Sequence, residues 1–260
     1  DPGDGEAAPR LYIVGGAGFG PPPTERHGEG PWARWAPAGS LWLPRVVIRR
    51  VGQGCEAIVT APIDDLTAWA DWVRGLSSNR RPIDPVPPRT GYHTVDTYGE
   101  REEWTDRVSA LVDKMVSPAA PFRKVVLARA QQLEAAPGRR FDAVSTAWHL
   151  RAQQPDCTCF AWWAADGSAF VGATPELLCR LEDGEVATTA LAGTAPRGRT
   201  PAEDELLGGT LLAAAKEQHE HQLVVDGIVE TLAGLGACVS PIAEPHIRRL
   251  EDVQHLETPI

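Results

Sequence analysis

Three charged side chains stand where their neighbours could turn them to chemistry. Lys124 opens the apolar run Lys124-Val125-Val126-Leu127-Ala128. If that run is a strand, Lys124 shares a face with Val126 and Ala128. A lysine there is partly desolvated, which suits a general base. The plainer alternative is a strand-end lysine that reaches back to water. Glu176 follows Gly172-Ala173-Thr174-Pro175. Gly and Pro permit a bend that would aim its carboxyl into a cleft, although an ordinary turn glutamate fits the same pattern. Glu220 lies between His219 and His221, with Lys216, Glu217, Leu223 and Val224 as its neighbours one helical turn away. A carboxylate beside an apolar stripe calls for a cation or a metal. A solvated or salt-bridged glutamate is the alternative.

Other motifs carry less. His219-Glu220-His221 is not H-E-x-x-H, because position 223 is Leu. On a helix, alternate residues also point about 200° apart, so the two histidines cannot easily share one ion. The small-residue segment Leu191 to Gly198 could present N–H groups to an anion, or could be only a loop. Gly15 to Gly20 has the wrong spacing for a dinucleotide loop, and Pro21-Pro22-Pro23 follows where a helix should open. Cys157-Thr158-Cys159 has no second Cys or His pair at zinc-like spacing, so two thiols on a strand fit better.

These residues need elements to position them. The pattern predicts strands over 41–50, 56–60, 122–130, 158–163 and 168–172. A hairpin is expected around Asp183-Gly184, and short β segments over 237–258. It predicts helices over 62–76, 101–116, 140–153 and 202–233, the last broken near Gly208-Gly209. Residues 1–10 read as a leader, 20–40 as a loop with Trp32 and Trp35, and 77–92 as a connector with Pro82, Pro85, Pro87 and Pro88. This order of hairpins and long helices favours an α+β fold. It divides into an N-terminal part, 1–90, and a second part, 91–260.

The chain has 260 residues, with 35 acidic against 25 basic side chains and a net charge of −10. With 43% hydrophobic residues it is neither disordered nor collagen-like. The negative charge argues against nucleic acid or an anionic membrane as partner, but not against a small anion held at a local positive site. Five scattered cysteines predict reduced thiols and a cytoplasmic setting. The acidic start predicts no secretory signal. The longest near-apolar run, Leu206 to Ala215, falls short of the ~20 residues of a membrane span.

Taken in order, "FRKVVLARA" (122–130), "FVGATPELL" (170–178), "ALAGTAPRG" (190–198), "AKEQHEHQLVVDGI" (215–228) and "VQHLETPI" (253–260) resemble the chorismate-utilising enzymes, in their isochorismate synthase branch. Weaker likeness extends to "VGGAGFGP" (14–21) and "LWLPRVVIRR" (41–50). The resemblance implies an α+β fold of two packed, mostly antiparallel sheets flanked by helices, chorismate as substrate, Mg²⁺ as cofactor and a monomer. It implies Lys124 as the base that activates water for attack at C2, and Glu176 as the acid that protonates the departing C4 hydroxyl. Glu220 is implied as a Mg²⁺ ligand, Gly193 and Thr194 as substrate contacts. His255 resembles a histidine near the substrate ring. Amine-transferring relatives typically carry glutamine at the Lys124 position, and aminodeoxychorismate synthases often a lysine at that of Ala192, so a water-using member is implied. Salicylate synthase also uses water and such a lysine, and is the nearest rival. The resemblance further implies that family members continue beyond Ile260 with a second Mg²⁺-binding glutamate and an arginine that grips a carboxylate. The expectation is that this chain alone is inactive or poorly folded, with a non-catalytic chorismate-binding remnant as the competing reading.

Overall fold

The computed structural model describes residues 12–16, 40–78, 91–98, 101–117, 119–164 and 166–260. The expected leader, the glycine turn beyond Gly16, the Trp32/Trp35 loop and the connector prolines lie outside them. The chain divides into two units, residues 1–84 with 164–168, and residues 85–163 with 169–260.

In the first unit, strands β1 (Val14–Gly16) and β2 (Ser40–Trp42) pair antiparallel, as do β3 (Val46–Val51) and β4 (Gly54–Val59). The 41–50 run is thus two strands, interrupted at Pro44, which lacks the N–H a ladder needs. Gly52 supplies the left-handed turn residue of the β3–β4 hairpin (φ +56°). Helix α1 (Leu66–Ser78) follows a short 3₁₀ turn at Ile63–Asp65. The Arg45 guanidinium lies 5.3 Å from the Trp69 ring, tying the helix to the start of β3.

The second unit holds the remaining elements: β5 (Tyr92–Tyr98), α2 (Arg101–Met115), β6 (Ala130–Ala135), α3 (Ala143–Gln153), β7 (Thr158–Trp163), β8 (Ala169–Thr174), β9 (Arg180–Glu182), β10 (Glu185–Ala187), β11 (Thr189–Pro196), α4 (Pro201–Ala213), α5 (Ala215–Gly234), β12 (His246–Arg249) and β13 (Val253–Pro259). Among the described residues all pairings are antiparallel, in the order β11-β13-β12 for one three-stranded sheet and as two-stranded ladders elsewhere. The class is α+β, as the pattern predicts.

Three local expectations need correcting. The strand expected over 122–130 begins only at Ala130, where β6 pairs with β5; residues 122–129 have no ladder partner among the described residues. A β-rich sequence becomes a strand only where a partner takes its hydrogen bonds. Strand β5 itself was not expected, because Tyr92 to Tyr98 mixes polar residues into its alternation. The long C-terminal helix breaks at Ala214 (ψ 110°), not at Gly208-Gly209. Gly208 lies within α4, and a Cβ there would lie 2.8 Å from Gln254 Oε1, so glycine lets β13 come close.

The buried residues among those described cluster where α4 and α5 cover the β11-β13-β12 sheet. They are apolar Ala190, Ala192, Leu211, Val225, Leu250 and Leu256, polar Thr188, Asp204, His221, Gln254 and Thr258, and the glycines Gly193 and Gly208. Strand alternation explains the set. Ala190, Ala192, Gln254, Leu256 and Thr258 point to the helices, whereas Thr194, His255 and Glu257 point away. Helix α4 starts on a capping arrangement: the Glu203 N–H donates to Thr200 Oγ1 (3.2 Å), the Arg199 N–H to Glu203 Oε2 (2.8 Å), and Pro201 occupies the first turn. Among the described residues, no helix is long and apolar enough to cross a membrane.

The Asp204 carboxyl, beside the Arg197 guanidinium and the Gly198 N–H, is held down at about 2. Its stabilising contribution is therefore complete above the unfolded value near ~3.9 and fades as pH falls towards 2. Melting curves of the protein and of Asp204→Asn should differ most above pH 4 and converge as the pH drops towards 2.

Candidate functional site

Helix α5 carries two kinds of charge on the flank that meets β11. His219 is exposed, whereas His221, two residues on, is buried with 2% exposure. The helical period separates them as expected. His221 Nε2 lies 2.8 Å from Thr258 Oγ1, which pins α5 to β13. Burial lowers the pKa of His221; a backbone interaction with Ala192 opposes this and the positive Lys124 adds to it. The ring is neutral near pH 7. Its Nδ1 is buried without a well-formed hydrogen bond.

Glu220 projects from the same stretch. Lys124 Nζ lies 3.2 Å from its Oε1, with the two side chains 28% and 36% exposed. Lys216 Nζ lies 3.8 Å from Oε2 and 2.8 Å from Glu217 Oε1. The structure thus brings Lys124, from an irregular segment, against Glu220, some hundred residues later in the chain. Two lysines and two glutamates form one half-exposed cluster.

Gly193 joins this cluster from the strand side. It has φ +79°, and the β11–β13 register shifts between Ala192 and Thr194, so a bulge sits there. A Cβ on Gly193 would lie 3.4 Å from Glu217 Oε2 and 3.3 Å from Leu256 Cδ1. Glycine serves both the left-handed backbone and the close helix approach. Thr194 points to the other face, where its Oγ1 lies 3.0 Å from His255 Nδ1; that nitrogen is also 3.3 Å from Gly193 O. A carbonyl only accepts, so the second contact requires the Nδ1–H tautomer and leaves Nε2 an acceptor.

Glu176 is not drawn into either group. It is exposed, and its N–H donates to Thr174 Oγ1 at 3.2 Å. Its loop is fixed to the sheet indirectly: buried Thr188 donates from Oγ1 to Leu178 O (2.7 Å) and exchanges backbone hydrogen bonds with Ile260 (2.9 Å each way). No contact links its carboxylate to Lys124, Glu220, Gly193 or Thr194 among the described residues.

Sequence reasoning missed Glu217, His221 and Thr258 as parts of this site. His221 had a signal in its i+4 relation to Val225 on the buried face of α5. Thr258 had none, because its partner lies 37 residues away.

A model of the family described as chorismate binding enzyme matches residues 4–260. The chain belongs to that family. It is 37% identical to the salicylate biosynthesis isochorismate synthase of Pseudomonas aeruginosa over 264 aligned residues, covering 99% of this chain and 53% of that protein. It is 31% identical to isochorismate synthase MenF of Escherichia coli, covering 84% of this chain and 50% of that one. The solved structure of MenF, the menaquinone-specific isochorismate synthase from Escherichia coli, superposes with a TM-score of 0.67 at 28% identity, over 87% of this chain and 52% of the other. The chain spans about half the length of these relatives.

Two measurements check this geometry. Partly exposed ion pairs are worth about 0.2–1 kcal/mol. A double-mutant cycle of Lys124→Ala and Glu220→Gln should therefore give a folding coupling below about 1 kcal/mol. A coupling of about 3 kcal/mol would make the pair a structural one. Thr258→Val removes the partner of a buried imidazole and should destabilise by about 1–3 kcal/mol in a denaturant titration.

Proposed function

We propose that the protein is an isochorismate synthase, converting chorismate to isochorismate by addition of water at C2 and loss of the C4 hydroxyl. The observation that carries this reading is the meeting of Lys124 with Glu220, 3.2 Å apart, beside the left-handed Gly193. A base and a hard-oxygen ligand are what this chemistry requires in one place. The likeness to isochorismate synthases over most of the chain supports it.

In this reading Lys124, once neutral, takes the proton of the attacking water. General bases of this kind contribute about 10²–10⁴-fold in rate. Glu176 donates a proton to the leaving hydroxyl, so that water departs rather than hydroxide. Atoms and electrons balance: one water enters at C2, one leaves from C4, and both double bonds of the ring diene shift, C1=C2 to C1=C6 and C5=C6 to C4=C5. Gly193 and Thr194 are the substrate contacts that the family resemblance implies; Gly193 meets the helix side, and Thr194 lies on the opposite face beside His255. The substrate is an anionic small molecule; two lysines against two glutamates leave the cluster formally neutral, so a bound cation would have to supply the positive charge that an anion needs in a chain of net charge −10.

The donor set fits Mg²⁺. Glu220 offers two hard oxygens, each faced by an ammonium group that a cation would have to displace. No group of three or more His, Cys, Asp or Glu side chains converges among the described residues. Mg²⁺ commonly binds through one or two carboxylates, with water and substrate oxygens completing its shell. Glu220 would hold it, with Glu217 one turn earlier. When bound, the ion supplies positive charge to a substrate carboxylate.

The test is incubation with chorismate and Mg²⁺, with products separated by chromatography, on this chain and on the full reading frame of its gene. Isochorismate is the expected product, and Lys124→Ala should lower its rate by at least ~100-fold while leaving chorismate binding within a few-fold. Salicylate with pyruvate would replace the assignment with salicylate synthase. Binding without product would make the protein a non-catalytic chorismate-binding remnant.

A further inference from the structure

The densest polar contact among the described residues lies outside the cluster just described. Asp204, in the first turn of α4, has a side chain only 10% exposed. Its Oδ1 accepts from Arg197 Nε (2.7 Å) and from the Gly198 N–H (2.8 Å). Its Oδ2 accepts from Arg197 Nη2 (3.0 Å) and Arg249 Nε (3.1 Å). Arg197 Nη1 donates onward to Leu250 O. Arg249 Nη2 continues to Glu205 Oε2 (2.7 Å). Fully buried Gln254 completes the junction, donating from Nε2 to Pro196 O (3.0 Å) and Asp204 O (3.4 Å). A Cβ on Gly198 would overlap the Asp204 backbone nitrogen, so the segment is closed down on the carboxylate.

One carboxylate therefore joins three stretches of chain: the end of β11, the start of α4, and the turn between β12 and β13. Each leads to the site. Arg197 lies four residues beyond the Gly193 bulge. Helix α4 runs into α5 through the single residue Ala214, and so sets where Glu217 and Glu220 begin. Strand β13 carries His255. An Arg–carboxylate fork restricts both distance and angle, which a point charge does not.

Resting on the isochorismate synthase reading, we propose that Asp204 is a positioning residue for the reaction, acting through its fork with Arg197 to hold the Gly193–Thr194 bulge in register with the carboxylates of α5. Asp204 touches no substrate in this account. Its effect is on alignment, where a displacement of about 1 Å can cost about 10²-fold in rate. Arg249 contributes one donor of four and leaves the fork intact when removed.

The test compares the protein with Asp204→Asn, Arg197→Lys and Arg249→Ala, at a temperature where circular dichroism shows each variant folded. kcat and KM for chorismate are read with Mg²⁺ saturating. Asp204→Asn and Arg197→Lys should each lower kcat by about tenfold or more with KM changed by less than about threefold. Arg249→Ala should keep kcat within about threefold. A merely structural clamp would lower the melting temperature and leave kcat of the folded protein unchanged, and that result overturns the proposal. If Asp204→Asn does not fold, Arg197→Lys, which keeps the charge, decides alone. A parent protein without turnover would defeat the isochorismate synthase reading and the proposal together. A parent that turns over, with variants that keep its kcat, would defeat only the proposal.

Discussion

The close approach of helix α5 to strand β11 is the constraint on which the rest of the structure depends. It is possible because β11 presents Ala190, Ala192 and Gly193 to the helix, so that little side chain separates the two backbones. A larger residue at any of these positions would push α5 outward and carry Glu217, Glu220 and His221 with it. The approach is held by a small apolar set around Leu256 and Val225, worth about 1.5–3 kcal/mol for each large side chain fully buried. It is registered by polar pins, which have fixed geometry: His221 on Thr258, and Gln254 between Pro196 and Asp204. Apolar packing supplies the attraction, and the pins select one alignment out of the several that packing alone would tolerate.

Electrostatics divides the second unit into two regions of different character. Around Asp204, charges are largely shielded and fully forked, which suits a fixed joint. Around Glu220, charges are half-exposed and met by single ammonium contacts at 3.2 and 3.8 Å. Such contacts are weak and exchangeable, as the proposed function requires of a binding place.

How much of this could be read from the chain differed by range of interaction. The strand over 158–163 is observed over the expected residues, because its partner β8 lies one short turn away. The Asp183-Gly184 turn was legible for the same reason, and both residues adopt the left-handed conformation a tight hairpin requires (φ +50° and +85°). Long-range features were not legible. Gly208 looked like a helix break, but Gln254 fills the space beside it. Lys124 looked like a strand residue, and its segment has no ladder partner among the described residues. Asp204 and Arg249 carry no local sign of their meeting, since 45 residues separate them. Motif likeness singled out Lys124 and Glu220 separately, but nothing in the chain pointed to their pairing.

The central claim is that Lys124 directs water to C2 of chorismate. Turnover in H₂¹⁸O with Mg²⁺ tests it most directly, with the product analysed by mass spectrometry and fragmentation to locate the label. The account predicts isochorismate carrying one ¹⁸O at the C2 hydroxyl. Isochorismate with its hydroxyl unlabelled would mean that the C4 oxygen had migrated within the molecule, and would contradict the assignment of Lys124 as the base that activates water.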